Sequence, residues 1–265
     1  MIRERAGFVA AVKSLLTYHQ ALGIKRYPRS EDIDVFLDAE PPSQSRKVDE
    51  PPPAILSKVK RQDGPDHARS SVKPVEIAEE VAVCRACELH RKRIYPVAGR
   101  GSEKVRLLIV GDWLTSDAEG NLEPDRLFGA EQDLMLSRML AAINLSPEDV
   151  FVTNVIKCAI PSTEQPQAIH VESCVSYLRR QIVALMPEMI CTMGMIAARA
   201  LLERRQPLSR LRGRFHEYDL GEKVSIPVMT TYHPTYLLQN PEMKQATWAD
   251  LQFLAKRLGL QPKSP

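Results

Sequence analysis

From Leu107 onward, apolar runs of strand length alternate with segments of helical spacing, and no other feature narrows the fold as much. Leu107–Gly111 is a continuous apolar run, Leu134–Ile143 has helical spacing, and Val150–Val155 is a second strand-length run. Residues 170–185 read as a helix, Met189–Met193 as a third strand and 195–203 as another helix. Val224–Thr230 reads as a fourth strand, and a helix over 245–257 closes the chain. Strands alternating with helices imply βαβ units. The expected fold class is therefore α/β: a three-layer α/β/α arrangement around a central, mostly parallel four-stranded sheet. Sites in such sheets lie beyond the carboxyl ends of the strands. Here those ends carry Gly111-Asp112, Thr153-Asn154, Gly194 and Tyr232-His233-Pro234.

Two segments of different character precede this domain. Residues 7–24 place apolar side chains at Phe8, Val12, Leu15 and Leu22, the pattern of an amphipathic helix. Ser30 is a suitable N-cap for a short helix over 31–39, so 1–40 reads as an N-terminal helical extension. Residues 41–75 are rich in proline with Ser, Gln, Lys and Asp between, a composition that buries little and makes an extended linker. The compact domain is expected over 76–265. Met1-Ile2-Arg3-Glu4-Arg5 offers neither the apolar stretch nor the small-residue cleavage site of a signal peptide. No apolar run approaches the ~18 residues of a membrane span. A soluble, cytoplasmic, monomeric protein is the expectation, with no membrane partner.

Net charge is only +3, so distribution matters more than total. His90-Arg91-Lys92-Arg93 with Arg100, Lys104 and Arg106 forms one basic group; Arg199, Arg204, Arg205, Arg210, Arg212 and Arg214 form another. Such groups either track phosphates or are solvated faces, and charge alone leaves both open.

Five cysteines, an odd number, in a chain with no secretory signal argue against a disulfide framework. Cys84 and Cys87 form a C-x2-C pair ahead of the first strand; Cys158 follows the second, and Cys174 comes after fifteen intervening residues. Four thiolates converging from separate segments suit Zn²⁺ or an iron–sulfur cluster, and the residues by themselves leave the metal open. Cys191, inside an apolar strand, reads as a small buried hydrophobe.

The stretch from Cys84 to Leu254 resembles the family-4 uracil-DNA glycosylases of bacteria and archaea. The resemblance rests on the cysteine spacing and on four further groups of residues. They are Arg138-Met139-Leu140-Ala141-Ala142-Ile143, Thr153-Asn154-Val155-Ile156-Lys157-Cys158, Leu211-Arg212-Gly213-Arg214 and Tyr232-His233-Pro234. It implies a [4Fe–4S] cluster on Cys84, Cys87, Cys158 and Cys174. It also implies hydrolysis of the N-glycosidic bond of deoxyuridine, in single- or double-stranded DNA, to leave an abasic site. By the same resemblance, Asn154 reads the edge of the flipped base, Phe128 stacks on it, and Gly111 shapes its pocket. His233 stabilises the departing anion, and Asp112 positions or activates water. Tyr236 and Leu237, on the loop just beyond, suit either a wedge into the vacated stack or a hydrophobic anchor for that loop.

Three departures stand out. The family's first motif runs Gly-Glu-(Ala or Gly)-Pro-Gly, whereas this chain has Gly111-Asp112-Trp113-Leu114-Thr115, with large residues that could fill the pocket. The segment from Gly111 to Phe128 is longer than the resemblance implies. Ala159-Ile160-Pro161-Ser162-Thr163-Glu164 and Gln239 replace arginine-bearing stretches. These departures keep two alternatives in view: a catalytically degenerate paralogue that binds DNA or protein, and an enzyme with a different damaged base as substrate. A zinc-stabilised α/β protein unrelated to DNA is the remaining one.

Overall fold

The computed structural model describes residues 73–262, apart from 118, 119, 124, 205, 222 and 223. The expected N-terminal helices and nearly all of the proline-rich linker lie outside the described residues. The strands are β1 (Tyr95–Pro96), β2 (Arg100–Gly101), β3 (Leu107–Gly111), β4 (Leu114–Thr115), β5 (Val150–Asn154), β6 (Cys158–Ile160), β7 (Met189–Met193), β8 (Phe215–Gly221) and β9 (Val224–Thr231). The α-helices are α1 (Pro74–Val83), α2 (Leu89–Lys92), α3 (Ala130–Ala142), α4 (Ala168–Leu185), α5 (Met195–Leu202), α6 (Leu208–Leu211), α7 (Pro234–Gln239) and α8 (Lys244–Arg257).

The main sheet has the order β2-β5-β3-β7-β9-β8. Its inner four strands, β5, β3, β7 and β9, are mutually parallel, as the apolar runs imply. The four-stranded expectation is corrected at both edges, where β2 and β8 pair antiparallel to their neighbours. The sequence hides them for different reasons. β2 is two residues long, and β8 alternates Phe215, Glu217 and Asp219 with His216, Tyr218 and Leu220 immediately after a basic loop. A half-buried edge strand lacks the continuous apolar run that marks the inner ones.

β3 is buried along its whole length and splits its side chains between two cores. Leu107 and Ile109 join α3 and α8 through Leu136, Leu140, Leu251 and Leu254. Leu108 and Val110 join α4 and α5 through Leu178, Ile182, Ala197 and Leu201. Helices thus cover both faces, and each fully buried aliphatic side chain contributes about 1.5–3 kcal/mol. Because β3 lies between β5 and β7, the chain steps to one side of β3 and then crosses to the other. That reversal opens a crevice at the carboxyl ends of the strands.

A second, small sheet of order β1-β6-β4 sits at the same end. β6 is its centre, antiparallel to β1 and parallel to β4. Between the two sheets lies a buried lysine, Lys157, only 1% exposed. Its ammonium donates to Thr153 Oγ1 at 2.7 Å, the Asn154 carbonyl at 2.7 Å and Gln181 Oε1 at 2.6 Å. All three N–H bonds are used, which is what makes such burial tolerable.

Candidate active site and thiol centre

The crevice is built from the strand ends upward. Gly111 and Asn154 are register partners at the last rung of the β3–β5 ladder. A Cβ at Gly111 would collide with the Phe128 ring and with Asn154 Oδ1, so this position must be glycine. Asn154 is fully buried and donates through Nδ2 to the Leu127 carbonyl at 2.6 Å; its Oδ1 has no partner. Leu127 and Phe128 are held by Asp133 in the first turn of α3, whose carboxylate accepts both their N–H groups at 3.2 and 3.0 Å.

His233 faces Phe128, with ring centroids 4.8 Å apart. Its Nδ1 accepts the Thr235 N–H at 3.2 Å, at the N-cap of α7, which leaves the proton of the neutral ring on Nε2. Nε2 is shielded from solvent and unpartnered. Burial lowers the imidazole pKa to about 4, so the ring stays neutral at physiological pH. The site therefore presents one orphan acceptor, on Asn154, and one orphan donor, on His233, both on residues that adjoin Phe128.

Beyond His233 the wedge expectation divides. Tyr236 is 40% exposed and stacks on Tyr232 with centroids 5.0 Å apart, whereas Leu237 is 1% exposed and belongs to the core. Helical geometry explains the correction: adjacent positions on α7 face different ways, and Leu237 takes the inward one. Tyr232 is held in turn by the Arg212 guanidinium, 5.4 Å from its ring centroid. Arg212 makes a bidentate pair with buried Asp250, at 3.0 and 2.9 Å, and Asp250 also accepts the Thr231 hydroxyl at 2.7 Å. Arg212 is therefore a clamp on the His233 loop. Arg93 and Arg106 are likewise occupied, Arg93 by the Val81 and Ala82 carbonyls and Arg106 by Glu188 and the Leu258 carbonyl. Arg91, Arg100, Lys104, Arg199, Arg204, Arg210 and Arg214 are exposed and remain available to phosphates.

Asp112 turns towards the start of α5. Its Oδ1 accepts the Ala197 N–H at 2.7 Å, and its carboxylate lies so close over Gly194 that a Cβ there would collide with it. Burial raises its pKa to about 7, against the opposing pull of the Ala197 and Ile196 N–H groups. A raised carboxylate pKa means that the native state holds a proton which the unfolded chain has already released. The associated stability is complete below pH ~4 and is lost as pH rises towards about 7. Asp112→Asn removes this loss. Denaturant titrations at pH 5 and pH 8 should show the variant gaining on the native protein by about 1–2 kcal/mol at the higher pH. An equal difference at both values would mean that Asp112 does not titrate in this window.

The large residues of the reaction loop lie elsewhere than the crevice. Trp113 packs, partly buried, against the cluster of Leu89, Ile156, Ile160 and the two buried cysteines, Cys158 and Cys174. Leu114 is fully buried and pairs, within β4, with Ala159 of β6.

The four cysteines come from four segments: Cys84 at the C-cap of α1, Cys87 before α2, Cys158 at the head of β6 and Cys174 within α4. Helix α1 lies on α4, tied by the Glu80–Arg180 ion pair, which brings Cys84 to the others. All four are unpaired thiols. Burial pushes Cys174 up to about 11 and raises Cys158. Donors are aimed at two of the sulfurs: the Ala86 N–H on Cys84 at 3.5 Å and the Arg93 guanidinium on Cys158 at 3.9 Å. Buried thiols with donors on their sulfurs suit a cationic group that takes the place of the thiol protons. No three His, Cys, Asp or Glu side chains among the described residues are grouped tightly enough for a single ion. Cys191 is buried within β7, as its apolar strand implies.

Sequence reasoning missed the supporting residues. Asp133, Thr235, Asp250 and Lys157 hold Phe128, His233, Arg212 and the Asn154 backbone. Only Asp133 left a signal, as a carboxylate just after Gly129 at a helix start.

Comparison with known proteins agrees with this geometry. Residues 98–252 match the family model of the uracil DNA glycosylase superfamily. The chain is 33% identical over 189 residues to the type-4 uracil-DNA glycosylase of Archaeoglobus fulgidus, covering 69% of this chain and 92% of that protein. It is 29% identical over 191 residues to that of Saccharolobus solfataricus, covering 70% and 87%. With that of Thermotoga maritima the identity is 29% over 179 residues, covering 66% and 90%.

Proposed function

This chain belongs to the uracil-DNA glycosylase superfamily, as one of its type-4 members, and from that premise we propose that it excises uracil from DNA. The enzyme hydrolyses the N-glycosidic bond of deoxyuridine and leaves an abasic site. One observation carries this reading: the two orphan polar atoms flanking Phe128, acceptor Oδ1 of Asn154 and donor Nε2–H of His233.

Uracil presents a donor at N3 and acceptors at O2 and O4. Asn154 Oδ1 takes the N3–H, and the Nδ2 beside it faces O4. Cytosine has an acceptor at N3, which would meet an acceptor, so it is rejected. The base must leave the stack to reach this buried edge, and Phe128 supplies the surface it stacks on. As the C1′–N1 bond breaks, its electron pair leaves with uracil and negative charge develops on O2. The Nε2–H of a neutral His233 stabilises that charge at no cost in reorganisation. Water adds to C1′ and gives its proton to Asp112, whose pKa of about 7 suits a general base. Tyr236, exposed on α7, fills the vacated stack.

Cys84, Cys87, Cys158 and Cys174 hold a [4Fe–4S] cluster in this reading, supported by the burial of Cys158 and Cys174, the partial burial of Cys84 and Cys87, and the donors on the Cys84 and Cys158 sulfurs. Bound there, the cluster supplies folding free energy to the segments that carry its ligands. Five unpaired cysteines support a reducing cytoplasmic setting. No helix among the described residues is long and apolar enough to cross a membrane. A monomer is the active unit in this reading, which calls on no residue beyond those of one chain.

The test is abasic-site formation on single- and double-stranded oligonucleotides carrying one uracil or, in its place, one cytosine. Uracil should be removed and cytosine left. The rate should rise through about pH 7 as Asp112 ionises. Folded, iron-containing protein that leaves uracil in place overturns the reading.

A further inference from the structure

We propose that Trp113 is a positioning residue that couples the four-thiol centre to the reaction loop, so that uracil excision depends on the metal group through this indole. The inference rests on the glycosylase reading above and adds to it a residue that departs from the family's first motif.

The loop and the cysteine strand run side by side from end to end. Val155 N–H donates to the Gly111 carbonyl at 2.9 Å and Ile156 N–H to the Asp112 carbonyl at 3.2 Å. β4 then pairs with β6, Leu114 against Ala159 and Thr115 against Ile160. Ser116 N–H donates to the Ile160 carbonyl at 3.0 Å, and Ser162 N–H to Ser116 Oγ at 3.1 Å. Within this stretch Trp113 lies, partly buried, against the cluster formed by Leu89, Ile156, Cys158, Ile160 and Cys174, on which Cys87 also packs. Its neighbour Asp112 reaches the other way, to α5. A filled thiol centre gives the indole a rigid wall. An empty one leaves it room to shift and to carry Gly111 and Asp112 with it. Placement matters steeply here, since a ~1 Å error costs about a hundredfold in rate.

The chain has two tryptophans, and Trp248 lies on α8 in the other core. Trp248→Phe therefore leaves Trp113 as the sole emitter. Its emission should be largely quenched in iron-loaded protein and recover when iron is removed with ferricyanide and a chelator. In Trp113→Phe, where Trp248 alone emits, the same treatment should change little. Loaded Trp113→Ala should lose roughly ten- to a hundredfold in kcat with KM little altered, and Trp113→Phe should restore most of it. Emission from Trp113 that is indifferent to iron overturns the proposal, as does native kcat in iron-loaded Trp113→Ala or protein that purifies without iron. The emission arm needs no turnover. A native protein inactive on uracil would remove the glycosylase reading and with it the coupling to excision, while the contact between Trp113 and the metal group would still be decided by fluorescence.

Discussion

Asn154→Ala is expected to lower the rate of uracil excision by roughly 10²–10³-fold, about 3–4 kcal/mol of transition-state stabilisation. Two bonds are lost at once, the acceptor for uracil N3–H and the donor to O4. The loss should fall mainly on kcat, because charge moving onto the ring strengthens the bond that O4 accepts from Nδ2 only as the glycosidic bond breaks. The variant also strips the Leu127 carbonyl of its 2.6 Å donor. That costs about 1 kcal/mol of stability, or a melting shift of about 2–4 °C. The two consequences separate cleanly. A single-turnover assay on folded protein reads the first and a thermal melt the second. A rate within about threefold of native, far short of a lost charge-assisted contact, would remove Asn154 from base recognition.

Cys158→Ala should remove iron and stability together. Cys158 begins the strand on which the small sheet is built, and its side chain is buried among Leu89, Ile156, Ile160 and Cys174. With one ligand missing, the three remaining thiols of a buried centre take back protons, and the free energy of metal binding is lost to folding. A loss of about 3–5 kcal/mol is expected, which lowers the melting temperature by about 10 °C or more in a domain of this size. Iron analysis with a thermal melt on the same sample checks it. Full iron with unchanged melting would take Cys158 out of the ligand set. Cys191→Ala serves as a control, since it also removes a buried sulfur but should leave the iron content unchanged.

The inner sheet was legible because its strands are buried on both faces and so are apolar throughout: Leu107–Gly111 and Met189–Met193 need no partner to be recognised. The edges were not, since β2 is defined by pairing with β5 and has no pattern of its own. Gly111, Phe128, Asn154 and His233 were placed by resemblance, and the structure brings all four into one crevice. What resemblance could not supply is the destination of the departing residues. Trp113 read as a threat to the base pocket because sequence gives a residue's size and not its direction. In the structure it belongs to the thiol centre. Nor could charge tell Arg212 from Arg214. One lies against Asp250 and the other in solvent, a difference made by tertiary packing alone.

The pairing of Gly111 with Asn154 bears on how such a chain tolerates insertion. Their separation is fixed by the spacing of adjacent strands, about 4.8 Å, and by a parallel register shared over five consecutive rungs from Leu107 and Val150. The crossover between them, which runs through Phe128 and α3, leaves one end of the ladder and returns to the other. Added length there can be taken up as bulging without sliding either strand, because a slip by one residue would turn every buried side chain to the wrong face. The stretch between Gly111 and Phe128 is thus one in which added length is tolerated. It can remodel the rim that meets DNA while the edge that reads the base stays where the ladder puts it.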